Sequence, residues 1–139
     1  MNGEIAALGL DIGRKRIGVA GCDRTGLIAT GLTTLQQTSF SELLGSLAEI
    51  VKDRRAELLV VGLPLTLDGL EGRQAKQVRR MAERLGRALQ LPVIYVDERL
   101  TSIEAEELFR QQGGYPRQNK ALVDRKAAAF ILQRWLDER

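Results

Sequence analysis

Residues 5–34 read IAALGLDIGRKRIGVAGCDRTGLIATGLTT, three short apolar runs separated by two polar, glycine-bearing breaks. Ile5 to Asp11 is the first run, and Gly13-Arg14-Lys15 turns the chain into Ile17 to Cys22. Asp23-Arg24-Thr25-Gly26 then turns it again into Leu27 to Thr34. Runs of this length with Gly and Asp at the breaks predict an antiparallel three-stranded meander. From Phe40 the apolar period changes. Phe40, Leu43, Leu44, Leu47, Ile50 and Val51 recur at helical spacing, and Ser39 with Glu42 forms a candidate capping box at the start.

Further on, Leu58 to Gly62 and Leu91 to Val96 are apolar runs suited to buried strands. Between them lie a loop, Leu63 to Gly69, and a long helix ending near Leu89. Thr101 with Glu104 opens another capped helix, which Gly113-Gly114 terminates, and a last helix runs from about Asn119 to Asp137. The order predicts an α/β fold: a mixed five-stranded sheet, flanked by helices, in which right-handed crossovers place two parallel strands beside the first strand of the meander. At 139 residues the chain has room for one domain of ordinary size, expected to span residues 1–139.

Composition narrows the chemistry. The chain has no His and one Cys, Cys22. That excludes Ser/His and Cys/His nucleophile arrangements, His-ligated metals, internal disulfides and Cys-rich zinc clusters. An enzyme of this composition works with carboxylates, Lys, Arg, hydroxyls, the lone thiol or a bound metal. The 21 basic residues outnumber the 18 acidic ones by only 3, but 16 of the 21 are Arg, the type that grips phosphate bidentately. Neither a membrane-length apolar run nor a signal-peptide pattern is evident, so a cytoplasmic location away from membranes is the expectation.

Three acids fall at telling places. Asp11 ends the first strand and Glu98 follows the fifth, the edge of an open α/β sheet at which ligands bind. If those two strands run parallel and flank the fourth, the two carboxyls converge. Asp124 lies in the opening turns of the last helix. Ala127 and Ala128 share its face and would let that face approach the sheet closely. Three converging carboxylates repel one another, and Mg2+ or Mn2+, hard ions that take oxygen ligands, would resolve the repulsion. Such a cluster with two ions is suited to phosphodiester hydrolysis and needs no histidine. Taken singly, Asp11 is also a turn former, Glu98 a partner for Arg99, and Asp124 a helix-dipole partner.

Leu8-Gly9-Leu10-Asp11-Ile12-Gly13 through Lys15-Arg16-Ile17-Gly18-Val19-Ala20, Val61-Gly62-Leu63-Pro64 with Asp68-Gly69, Asp97 to Ser102, and Val123-Asp124 with Ala127-Ala128 closely resemble the YqgF/RuvX family. The resemblance spans essentially the whole chain. It implies an RNase H-like fold and a nuclease, with Asp11, Glu98 and Asp124 as the metal-binding catalytic acids. It also implies either processing of the 5′ end of pre-16S rRNA or resolution of Holliday junctions in branched DNA. Ser102 stands where the family usually has Thr, which keeps the hydroxyl.

Candidate nucleic-acid contacts form three groups. Lys15 and Arg16 lie beside Asp11. Arg73, Lys76, Arg80, Arg84 and Arg87 share one helix face, roughly opposite Val78, Met81, Ala82, Leu85 and Leu89. That stripe is either a phosphate footprint or a solvated outer face. The third group is Arg110, Arg117 and Lys120 around Tyr115, in a Gly- and Pro-containing stretch; Tyr115 either stacks on an unpaired base or anchors the loop. Arg99, next to Glu98, completes the set. Cys22 reads as a small core residue and Trp135 as a packing anchor.

Two other classes compete. Leu10-Asp11-Ile12-Gly13 with Gly18-Val19-Ala20 also resembles the first phosphate motif of actin-like ATPases and sugar kinases, which need two such domains. A non-catalytic nucleic-acid adaptor would have lost a carboxylate, and all three are present. Junction resolution calls for a homodimer, whereas end processing can be done by a monomer.

Overall fold

The computed structural model describes residues 5–66, 68–98 and 120–139. Strands β1 (Ala7–Ile12), β2 (Arg16–Cys22) and β3 (Ala29–Gln36) form the antiparallel meander. Helix α1 (Phe40–Arg54) leads to β4 (Leu58–Leu63), helix α2 (Arg73–Leu89) to β5 (Val93–Asp97), and helix α3 spans Lys120–Glu138. β4 pairs parallel to β1 and β5 parallel to β4, giving the sheet order β3-β2-β1-β4-β5. The expected mixed sheet is therefore the observed one. The predicted helix opening at Thr101 lies outside the described residues.

Alternation along the strands divides the sheet into two faces. Leu8, Leu10 and Ile12 of β1 and Leu59, Val61 and Leu63 of β4 join Leu43 and Leu47 of α1 and Val78, Ala82 and Leu85 of α2 in one core. Ala7 and Val60 turn to the opposite face, where Ala128, Ile131, Leu132 and Leu136 of α3 cover them together with Cys22 and Val96.

Two strand starts and one helix cap differ from the sequence expectation for identifiable reasons. β3 starts at Ala29 rather than Leu27 because the Asp23 carboxylate accepts the Leu27 and Ile28 N–H groups, at 2.9 and 2.8 Å, and holds both residues in the turn. β5 starts at Val93 rather than Leu91 because the Leu91 N–H closes the end of α2 on the Gly86 carbonyl, at 2.9 Å. At the start of α1, Ser39 Oγ accepts from the Glu42 N–H at 3.1 Å, but the Glu42 carboxylate takes the Thr38 hydroxyl rather than the Ser39 N–H, so only half of the expected capping box forms.

Candidate active site

Asp11 and Glu98 reach the same place from strands two apart in the sheet. On β1, Asp11 alternates with Gly9 and Ala7 and so faces α3; on β5, Glu98 follows Val96 on that same face. Adjacent strands lie about 4.8 Å apart, so two carboxyls separated by β4 must bridge roughly twice that. Gly62 of β4 makes the bridge possible. A Cβ built there would lie 3.2 Å from Glu98 Cδ and 2.4 Å from Ile131 Cδ1, so any side chain would fill the space over which the acids meet.

The two carboxyls lie within interaction range of each other, Glu98 buried and Asp11 half-buried. Glu98 is 7% exposed and is the buried charged residue among those described. Burial, then the hydrogen bond with Asp11, then that residue's charge push its pKa up to about 10. Burial also raises Asp11; the hydrogen bond with Glu98 works against the rise, and the charge of Asp124 adds to it. In the metal-free protein the pair therefore retains a proton at neutral pH, as expected where two carboxylates are forced together.

Asp124 comes from the opposite layer. Helix α3 crosses the sheet so closely that a Cβ on Gly18, the residue paired with Asp11, would lie 2.0 Å from the Asp124 carbonyl oxygen. Gly9 on β1 and Gly31 on β3 meet Ala128, Leu132 and Arg125 of α3 in the same way. A row of glycines, one from each of β1 to β4, thus works with the predicted Ala127 and Ala128 to lower Asp124 to the strand edge. The Asp124 carboxylate itself is paired: Arg16 Nε donates to its Oδ2 at 2.7 Å, with both side chains about a quarter exposed. With Asp124 turned onto Arg16, no group of three or more acids among the described residues is gathered tightly enough to hold a metal ion.

A 360 Å3 cleft opens at this edge, bounded by Asp11, Glu98, Gly13, Pro64, Leu65 and Gln74. Gln74 belongs to the first turn of α2, a helix start with no side-chain cap and no acid in its first turn. Arg73 and Lys76 flank that end and are exposed, while the exposed Arg80, Arg84 and Arg87 continue away from the acids along the helix. The Arg84 guanidinium rests 3.6 Å above the centroid of the Phe40 ring on α1. Lys15 is exposed at the β1–β2 turn. Arg99 and Arg117 fall outside the described residues, as does the side chain of Lys120. Arg125 turns inward against Gly31 and lies within 3.4 Å of Thr34 Oγ1. Cys22 is buried, as expected of a core residue.

A RuvX family model, described as Holliday junction resolvase, matches residues 5–138. The chain belongs to the RuvX family. It is similar to a protein of Trichormus variabilis named "Putative pre-16S rRNA nuclease", 58% identical over 100% of this chain and 92% of that protein. A protein of the same name from Crocosphaera subtropica is 59% identical over 98% of this chain and 95% of the relative. Among solved structures, RuvC of T. thermophilus in complex with a Holliday junction substrate superposes with a TM-score of 0.55 at 15% identity, covering 91% of each chain. At that identity the likeness concerns the RNase H-like fold of this RuvX member alone.

Two features of the site were not read from the sequence. The Arg16–Asp124 pair joins residues 108 positions apart, and nothing local foretells it. The strand glycines look like turn or bulge signals until a helix is known to lie across them. No described helix is long and apolar enough to cross a membrane.

Proposed function

We propose that this RuvX-family chain is a metal-dependent nuclease that hydrolyses phosphodiester bonds of structured nucleic acid, with the 5′ end of pre-16S rRNA as its substrate. The observation that carries the reading is the pairing of buried Glu98 with half-buried Asp11 at the ends of two parallel strands, with the charge of Asp124 acting on Asp11. A close carboxyl pair that must keep a proton destabilises the free protein, and a divalent cation held there would relieve this in place of the proton. The donors are all oxygen, which fits Mg2+ or Mn2+.

In this reading Asp11, Glu98 and Asp124 hold the metal. A divalent ion held there would lower the pKa of a bound water and would offset charge on the attacking and leaving oxygens. The chain's own residues do the rest. Arg16 pairs with Asp124 in the metal-free protein, and its guanidinium would be available to a substrate phosphate were Asp124 to hold a cation instead. Arg73 and Lys76, with Lys15 across the cleft mouth, draw the backbone in, and Arg80 extends the track. Arg99, Arg117 and Lys120 belong to the same proposed contact set. Gly13 leaves the Asp11 side of the cleft free of side-chain bulk.

The names of the full-length relatives favour ribosomal RNA as substrate. The family description and the RuvC-like fold favour a second reading, resolution of four-way DNA junctions by a homodimer. A side-by-side cleavage assay on precursor rRNA and a four-way junction, each with Mg2+ and with Mn2+, decides between them. Cleavage of the precursor by a monomer is the expected result. Cutting of the junction alone, by a dimer, would replace it with the second reading, and no cleavage of either by folded protein would overturn both.

A further inference from the structure

Beside the acid cleft lies a second cavity, of 170 Å3, between the β1–β2 turn and α2. The two share Ile12, Gly13 and Gln74, so they are neighbouring compartments of one depression. Its lining differs in kind from that of the cleft. Ile12, Val78 and Met81 supply an apolar wall, and three carboxamides, those of Gln37, Gln74 and Gln77, stand around it. No acid lines it, and Arg14 contributes the one formal charge.

We infer that this cavity is a subsite for one unpaired nucleobase of the substrate, seated beside the phosphate held at Asp11 and Glu98. The inference rests on the nuclease reading for its substrate and on the cavity for its chemistry. A closed cavity of about 150 Å3 accommodates a single aromatic ring, so 170 Å3 in this partly open depression suits one heterocycle. The apolar wall meets the ring face. A carboxamide offers a donor and an acceptor side by side, the pattern that matches the edge of a base, and a base out of its helix exposes such edges.

The glutamines are also set up differently. Gln37 Nε2 already donates to the Gly13 carbonyl, which fixes its amide and leaves its oxygen as the acceptor. Gln74 and Gln77 are exposed on the opening turns of α2 and make no side-chain hydrogen bond among the described residues, so both amide groups can turn to a ligand. Gln74 touches both compartments and so links the base to the phosphate site. Arg14 at the β1–β2 turn is placed for the neighbouring phosphate or for the face of the ring. A solvated polar surface would need neither the apolar wall nor the fixed amide.

The test uses the full chain, isotope-labelled, titrated with AMP, GMP, CMP and UMP and with ribose 5-phosphate as the base-free control, at up to about 10 mM because contacts of this size bind in the millimolar range. The expected result is that at least one nucleotide shifts the side-chain amide resonances of Gln74 and Gln77 and the Met81 methyl, whereas ribose 5-phosphate leaves them in place. Gln77→Leu is expected to weaken that nucleotide about tenfold; because Gln77 is exposed, the variant folds. Equal shifts with ribose 5-phosphate, or none with any nucleotide, would overturn the subsite. This readout needs no catalysis. Base-dependent shifts in a protein that cleaves nothing would sink the nuclease reading and keep the subsite, while active protein without the shifts would do the reverse.

Discussion

Glu98→Gln should make the metal-free protein more stable, and increasingly so as pH rises. In the wild type Glu98 has its pKa raised to about 10, chiefly by burial and then by the hydrogen bond and charge of Asp11. A carboxyl whose folded pKa lies above its unfolded value favours folding only while it is protonated. The folded state then binds the extra proton, and stability falls as pH climbs from the unfolded value toward the folded one. Each pH unit in that window costs at most about 1.4 kcal/mol, so the interval from about pH 5.5 to 8.5 sets a ceiling of roughly 4 kcal/mol. Glutamine keeps the shape and can donate to Asp11, but it has no proton to lose. The assay is thermal melting in chelator across that interval. The wild type is expected to lose at least about 1 kcal/mol more than Glu98→Gln, a differential of roughly 4 °C for a chain of this size. Added Mn2+ is expected to raise the wild-type midpoint more than that of the variant. Parallel pH profiles, or a variant melting below the wild type at pH 8.5, would refute the account of the acid pair.

Gly18→Ala places a methyl carbon 2.0 Å from the Asp124 carbonyl oxygen and should force α3 off the sheet, costing about 1–3 kcal/mol in chemical denaturation and most of the activity. Gly45→Ala is its control: α1 is open there, with nothing within 4 Å, and the change should raise stability by about 0.5–1 kcal/mol at unchanged activity. Gln90, left-handed at φ 59° where α2 closes, should gain about 1 kcal/mol on replacement by glycine, read from the urea midpoint.

The meander and the two parallel strands were legible because each announces itself locally. Gly and Asp punctuate residues 5–34, and β4 and β5 are short apolar runs. Asp11 and Glu98 were legible too, because an acid at the C-terminal end of a parallel strand has few places to point. What local pattern cannot carry is the layer in which distant residues meet. Gly62 reads as the exit of a buried strand, and only the packing of Ile131 over it reveals that it keeps the path between two carboxyls open. Arg16 reads as a phosphate ligand beside Asp11, yet in the metal-free protein it is committed to Asp124. The stripe from Arg73 to Arg87 was legible as one face, but its direction was not. Its first turn adjoins the acid cleft and the remainder leads away, because α2 starts at that edge of the sheet and runs back toward β5.

The glutamine-lined cavity was the least visible of all. Gln37 lies between β3 and α1 while Gln74 and Gln77 are on α2, and no motif joins them. Polar uncharged residues at a helix start carry no signal until the opposite wall, here Ile12 and Gly13, is known.

The most direct test of the central claim is the cleavage rate of Glu98→Gln on the preferred substrate, in saturating Mg2+ or Mn2+, alongside its melting curve. The expected variant is more stable than the wild type in chelator at pH 8 and at least about a hundredfold slower in cleavage, because under the proposed function the group that destabilises the fold is the one that would hold the metal. A variant that cleaves within a few-fold of the wild type would contradict it.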